Sequence, residues 1–289
     1  MFEDHVLSDV AIAPPESLVR PFPAADEPRA PPMPLTAIRT ALAGAMVETY
    51  YQPVVRLADR GLVGLEALAR LNHPARGTVL PEDFVPQLED AGLAGQLADL
   101  VVAHAFADMI GAALAPLALS VSINFPPDVL VGTGALARLD SQRCAAGIPA
   151  GCVIVELTES QPVRDLAVLR DAVERLRGAG YQIMIDDVGP AVAGLDQLLD
   201  LPFTGVKLDK GLVHRVTSAP DAVVEVERIV GIARRRDLTV VAEGVETAAE
   251  WCRLAALGVD QAQGFLVAHP LQAAAVPMWL ASWRQAPAF

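Results

Sequence analysis

CVIVELTESQPVRDLAVLRDAVERLRGAGYQIMIDD, residues 152–187, contains one complete structural unit. Two short apolar runs, Cys152–Leu157 and Gln182–Ile185, flank a segment in which Leu166, Leu169, Val173 and Leu176 recur at helical spacing. Runs without a polar alternate face suit strands covered on both sides, and an intervening helix is the usual way to join parallel neighbours. Glu156 lies inside the first run, and Asp186 and Asp187 follow the second.

The same alternation extends in both directions. Further apolar runs occur at Tyr51–Val55, Leu62–Ala69, Leu119–Asn124, Gly205–Leu208, Thr239–Ala242 and Ala262–Val267, with helical patterns between them, such as Val223–Arg235. The basic cluster Arg234-Arg235-Arg236 complements the dipole at the end of that last helix. About eight strand–helix repeats predict an α/β fold, a TIM-like barrel of eight strands with helices outside. A doubly wound open sheet is the competing architecture. Polar residues favour the barrel: Glu66, Asn124, Glu156, Asp186, Lys207, Glu243 and Gln263 each lie in or at the end of a run. Only a closed sheet brings all of them to one mouth.

Eight of the 23 prolines lie between Pro14 and Pro34, among Ala, Glu and Asp. Residues 1–45 are therefore expected to form a flexible Pro/Ala-rich tail ending in a short helix capped by Thr36, with the barrel domain spanning 46–289. A formal charge of −13 argues against long nucleic acid and anionic membrane as partners. His104, Asp108 and Pro116 interrupt the most apolar stretch, Val101–Val121, which reads as a buried helix running into a strand rather than a membrane span. The start, Met-Phe-Glu-Asp, lacks a secretory pattern, so the expected compartment is the cytoplasm. Cys144, Cys152 and Cys252 lack zinc-site spacing and are expected to be reduced and mostly buried.

Singly, each acid has a structural explanation as a helix cap or an exposed strand position. Together, Glu66, Glu156, Asp186, Asp187 and Glu243 with Asn124 form an oxygen-only set whose negative density calls for cations, Mg²⁺ or Mn²⁺ rather than a soft metal. Adjacent Asp186 and Asp187 suit a pair of ions sharing a carboxylate, the arrangement used for displacement at phosphorus. Lys207 stands out because the chain has only two lysines. A compact ammonium there suits orienting a water or stabilising a phosphoryl oxygen. The histidines have no mutual ligand spacing and receive no catalytic role.

These residues carry a resemblance. Tyr51-Gln52-Pro53-Val54-Val55, Glu66-Ala67-Leu68-Ala69-Arg70, Ser122-Ile123-Asn124, Glu156-Leu157-Thr158-Glu159-Ser160, Ile185-Asp186-Asp187, Val206-Lys207-Leu208-Asp209, Ala242-Glu243-Gly244-Val245-Glu246-Thr247 and Gln263-Gly264-Phe265 follow one another in order over about residues 46 to 275. The set resembles the bacterial EAL domain, the phosphodiesterases that linearise cyclic di-GMP. The resemblance implies a barrel whose first strand runs against the others, and Mg²⁺- or Mn²⁺-dependent ring opening to 5′-pGpG. It implies Glu66, Asn124, Glu156 and Asp186 on one ion, Asp186 and Asp187 on a second, and Glu243 with Lys207 as the catalytic pair. Gln52, Leu68, Arg70, Asp209, Gln263, Gly264 and Phe265 would line the nucleotide site, with Arg70 near a phosphate. Glu159 and Glu246 would support the site loops, and the family's pairing of subunits makes a homodimer an expectation.

One segment departs from the family's Phe-Gly-Thr-Gly-Tyr-Ser-Ser: here it is Val188-Gly189-Pro190-Ala191-Val192-Ala193-Gly194. Pro190 removes an amide donor, and the hydroxyl-bearing positions have become Val, Ala and Gly. The loop supports metal binding in the family and is anchored by the residue corresponding to Glu159. Two readings follow: a phosphodiesterase, or a weak or inactive cyclic di-GMP receptor acting through a protein partner. A pure interaction domain, contacting its partner through the tail, is the third.

Overall fold

The computed structural model describes residues 33–43, 46–132, 134–157, 166–189, 195–287 and 289. The tail expected upstream of Met33, Glu159 and residues 190–194 of the rewritten loop lie outside the described residues.

Nine strands make one sheet: β1 (Val47–Arg56), β2 (Leu62–His73), β3 (Gly77–Val79), β4 (Ser120–Phe125), β5 (Val153–Leu157), β6 (Gln182–Val188), β7 (Gly205–Leu208), β8 (Thr239–Ala242) and β9 (Gln261–Ala262). Their order, β1-β9-β8-β7-β6-β5-β4-β2-β3, is closed by pairing of β1 with β2. Because β3 only extends β2 as a hairpin, the closed sheet is an eight-stranded barrel. β2 and β4 through β9 run parallel, while β1 is antiparallel to both of its neighbours. The reversal follows from the connection: Leu57–Gly61 is a tight turn, too short for the helical crossover that parallel strands require. In that turn Gly61 N donates to Asp59 Oδ1 at 2.9 Å, and Arg60 takes a left-handed φ of 61°.

Helices cover the outside. Helix Leu166–Gly178 buries Leu169, Ala172, Val173 and Leu176, at about 1.5–3 kcal/mol for each large side chain. Leu166, placed on that face by its spacing, is exposed as the first residue of the helix. The stretch read as buried helix then strand is helix Ala94–Ile110 followed by β4, and no described helix is long and apolar enough to cross a membrane. The first helix, Leu35–Ala43, begins one residue before the expected cap at Thr36. Pro34 O accepts from Ala37 N and Ile38 N, which leaves Thr36 inside the helix. Met33, Ile38, Ala41 and Leu42 join the core, so buried structure reaches upstream of residue 46.

Two further expectations are corrected. The cysteines are unpaired, but Cys144 and Cys252 are exposed and Cys152 half-buried, because the first two sit on the solvent sides of their helices. Of the run Ala262–Val267 only Ala262 is strand, as the second residue of β9. Beyond it the backbone turns at Gly264, whose φ of 156° and close approach to Val245 leave no room for a side chain: a Cβ there would lie 2.2 Å from Val245 N. The chain then returns to β1, where Tyr51 N donates to Leu271 O at 2.7 Å and Leu271 N to Tyr51 O at 2.8 Å.

Candidate active site

Parallel strands of a barrel deliver their C-terminal ends to one mouth. Glu66 projects from β2, Asn124 from β4, Glu156 from β5, Asp186 from β6 and Lys207 from β7, while Glu243 follows β8 and Gln263 follows β9. All seven are polar residues lying inside or at the end of the apolar runs of the sequence, and the closed sheet gathers them.

Lys207 stands at the centre, with its side chain 1% exposed. Its Nζ lies 3.0 Å from Glu156 Oε2, 3.2 Å from Asp186 Oδ1 and 3.4 Å from Glu66 Oε2, and it contacts Glu243 Oε1. Four carboxylates from four strands thus converge on one ammonium. Burial alone would weaken the hold of Lys207 on its proton, but Asp186, Glu156, Glu243 and Glu66 outweigh it and push the pKa well above the usual lysine value. The acids divide. Burial, reinforced by Glu66 and Asp186 against the pull of Lys207, lifts Glu156 to about 8. Burial likewise raises Glu243 well above the ordinary carboxylate range. Glu66 goes the other way: burial opposes its charge, but Lys207 and hydrogen bonds from Gln263 and Asn124 outweigh burial and lower its pKa.

Asn124 Nδ2 donates to Glu66 Oε1 at 2.8 Å. Gln263 Nε2 donates to Glu66 Oε2 and, at 3.0 Å, to Gln52 Oε1, while Gln52 Nε2 donates to Ala268 O at 3.0 Å. This amide chain ties the second strand to the returning C-terminal segment. Asn124 Oδ1 and Gln263 Oε1 are buried with no hydrogen-bond partner among the described residues, a costly state for an amide oxygen that a cation in the cage would relieve.

Asp187 sits where the β6–β7 register shifts between Ile185 and Val188, and it adopts a left-handed φ of 55°. The irregularity breaks strand alternation, so neighbouring Asp186 and Asp187 both serve the mouth. Asp186, Asp187 and Glu243 each offer an oxygen within 4.8 Å of the others. Desolvation, with the charges of Asp186 and Asp209, raises Asp187 to about 6. An all-oxygen set of this density fits hard divalent cations.

The rim is built from the remaining predicted residues. Strand alternation puts Glu66, Leu68 and Arg70 on one side of β2, and the Arg70 guanidinium lies 5.9 Å from the Tyr50 ring centroid. Phe265 is 50% exposed and pairs with His269 at a ring separation of 4.0 Å. Gly264 shapes the turn between Gln263 and Phe265. Asp209 caps helix Lys210–Arg215 by accepting from Leu212 N, and its charge reaches Asp187. Glu246 is exposed, with its charge felt at His269.

Two histidines given no catalytic role lie beside the site. His269 partners Phe265, and His214 Nε2 lies 2.8 Å from Gly244 O, next to Glu243. A carbonyl only accepts, so Nε2 carries the proton and donates. Gly244 has a φ of 65°, and a Cβ there would meet Lys210 Cβ at 2.7 Å. The one signal in the sequence was the Lys210–His214 spacing of four on a helix.

Residues 35–270 match the EAL domain family model. The chain is 32% identical over 225 residues to the cyclic di-GMP phosphodiesterase RocR of Pseudomonas aeruginosa, a match covering 78% of this chain and 57% of RocR. It is 30% identical over 237 residues to the bifunctional diguanylate cyclase/cyclic di-GMP phosphodiesterase MucR of the same organism, covering 82% of this chain and 35% of MucR. Among solved structures, the PaMucR phosphodiesterase in complex with c-di-GMP aligns with a TM-score of 0.77 at 30% identity, covering 84% of this chain and 98% of that one. The chain spans roughly a third to just over half of the length of these two curated relatives.

Proposed function

The chain belongs to the EAL domain family, and from that premise we propose that it hydrolyses cyclic di-GMP to linear 5′-pGpG with two Mg²⁺ or Mn²⁺ ions. The observation that carries the reading is the convergence of Glu66, Glu156, Asp186 and Glu243 on Lys207 at the C-terminal mouth.

In this reading Glu66, Asn124, Glu156 and Asp186 hold one ion, and Asp186 and Asp187 the second. The ions, when bound, polarise the phosphodiester and acidify water. Glu243 takes the proton of the attacking water, a role supported by its contact with Lys207 Nζ and by its oxygen lying within 4.8 Å of those of Asp186 and Asp187. Lys207 Nζ, oriented by its carboxylates, stabilises charge on a phosphoryl oxygen. The water oxygen bonds to phosphorus, the bond from phosphorus to O3′ breaks, O3′ takes a proton from solvent, and Glu243 returns its proton to solvent. Gln263 and Gln52 hold Glu66 in place. Arg70 faces a phosphate, and Leu68, Gly264, Phe265 and Asp209 border the nucleotide. Glu159 and Glu246 support the loops.

The test is chromatography of cyclic di-GMP incubated with the protein and Mg²⁺ or Mn²⁺ at mildly alkaline pH, with Glu66→Ala as control. pGpG formed only by the unsubstituted protein supports the proposal, and no product above the control refutes it. The rewritten segment after Asp187 favours a second reading, a receptor that binds without cleaving. Calorimetry without divalent ions would then show tight binding, with intact ligand recovered after metal is added.

A further inference from the structure

We propose that Lys207 is the resident counter-cation of the carboxylate cage: its ammonium keeps the metal-free mouth folded and sets the strength and charge preference of cation binding. The inference rests on the reading of the cage as a metal site.

A lysine needed only to meet substrate would point one face at the mouth. Lys207 instead is enclosed, within 3.4 Å of Glu66, Glu156 and Asp186 and in contact with Glu243. These acids come from β2, β5, β6 and the end of β8, so one charge ties together strands spread around the barrel. Buried carboxylates this close repel one another, and without a cation the mouth would open or take up protons. An ammonium has three protons for four acids and is therefore an incomplete match. A divalent ion would draw on the same oxygens, and the neighbouring Asn124 Oδ1 has no hydrogen-bond partner among the described residues to give up. Arg70 adds its field at Glu66 from the rim, but it is Lys207 that contacts the four carboxylates.

Two consequences separate this role from a purely catalytic one. The ammonium repels every incoming cation, and by Coulomb's law the repulsion scales with the charge of that cation. Replacing Lys207 by methionine removes the charge at similar length. If the affinity for Mn²⁺ rises ~10-fold, the affinity for Tb³⁺ should rise ~30-fold, because the same potential acts on three charges instead of two. The metal-free variant should also lose its folding stability and regain it with Mn²⁺.

The experiment uses the full chain. Mn²⁺ binding is measured by calorimetry and Tb³⁺ binding by sensitised luminescence at near-neutral pH, for the unsubstituted protein and Lys207→Met. Thermal melts are run in chelator and in Mn²⁺. Tighter binding of both ions by the variant, with the larger gain for Tb³⁺, is the expected result. Unchanged or weaker binding by a folded variant overturns the proposal while leaving the metal-site reading intact. If the unsubstituted protein binds neither ion, both readings fall. Should Lys207→Met fail to fold even with Mn²⁺, the unsubstituted protein decides: a cooperative melt in chelator supports the counter-cation role, and absence of a folded state there refutes it.

Discussion

Replacing Glu156 by glutamine should make the metal-free protein more stable at alkaline pH, although it deletes a partner of Lys207. Glu156 is 2% exposed, and burial lifts its pKa from 4.5 to about 8. The folded state therefore holds a proton that the unfolded chain releases above pH ~4.5. The stability from this proton is fully present below that pH, declines between ~4.5 and ~8, and is gone above. The slope is about 1.4 kcal/mol per pH unit for one proton, so roughly 3 kcal/mol is lost by pH 7 and up to ~5 kcal/mol by pH 8. Glutamine mimics the protonated acid at all pH values. Glu156→Gln should match the unsubstituted protein near pH 5 and exceed it by a few kcal/mol at pH 8, an increase of about 2–4 °C in Tm per kcal/mol. Urea melts in chelator at pH 5, 6.5 and 8 provide the assay. Parallel pH profiles for the two proteins, or a less stable variant at pH 8, would refute the account of a buried acid protonated in the absence of metal. Divalent ions should invert the ranking, since they bind the ionised carboxylate.

Other perturbations test the frame around the cage. Gly264→Ala places a methyl group 2.2 Å from Val245 backbone atoms, so it should cost at least ~2 kcal/mol by thermal melt and weaken cation binding through the displaced Glu243 segment. Leu169→Ala, at a fully buried position, should cost about 2–5 kcal/mol in urea with an unchanged m-value and no effect on cation affinity. His214→Ala removes the donor to Gly244 O and should weaken Mn²⁺ binding several-fold, while His214→Gln restores part of the loss; equal affinities for all three proteins would show that this bond does not position Glu243.

Alternating strands and helices, the polar residue ending each strand and the singular Lys207 were legible in the chain, because periodicity and residue type are local properties. Glu66, Asn124, Glu156, Asp186 and Lys207 stand out in the sequence alone, since each interrupts an apolar run that otherwise has no reason to carry a polar group. The end of the last run was not legible: Ala262–Val267 is apolar enough for a strand, and only the close pass of Gly264 over Val245 explains why it turns. Nor were the roles of His214 and His269, whose partners lie 30 residues away at Gly244 and across a turn at Phe265. The sequence by itself determined which side chains would meet at the mouth. Tertiary structure decided their proton affinities and charge balance, because those depend on burial and on distances across the closed barrel: the pKa of Glu66 is lowered by Lys207 and two amide donors while burial lifts that of Glu156 to about 8, although the two are chemically alike.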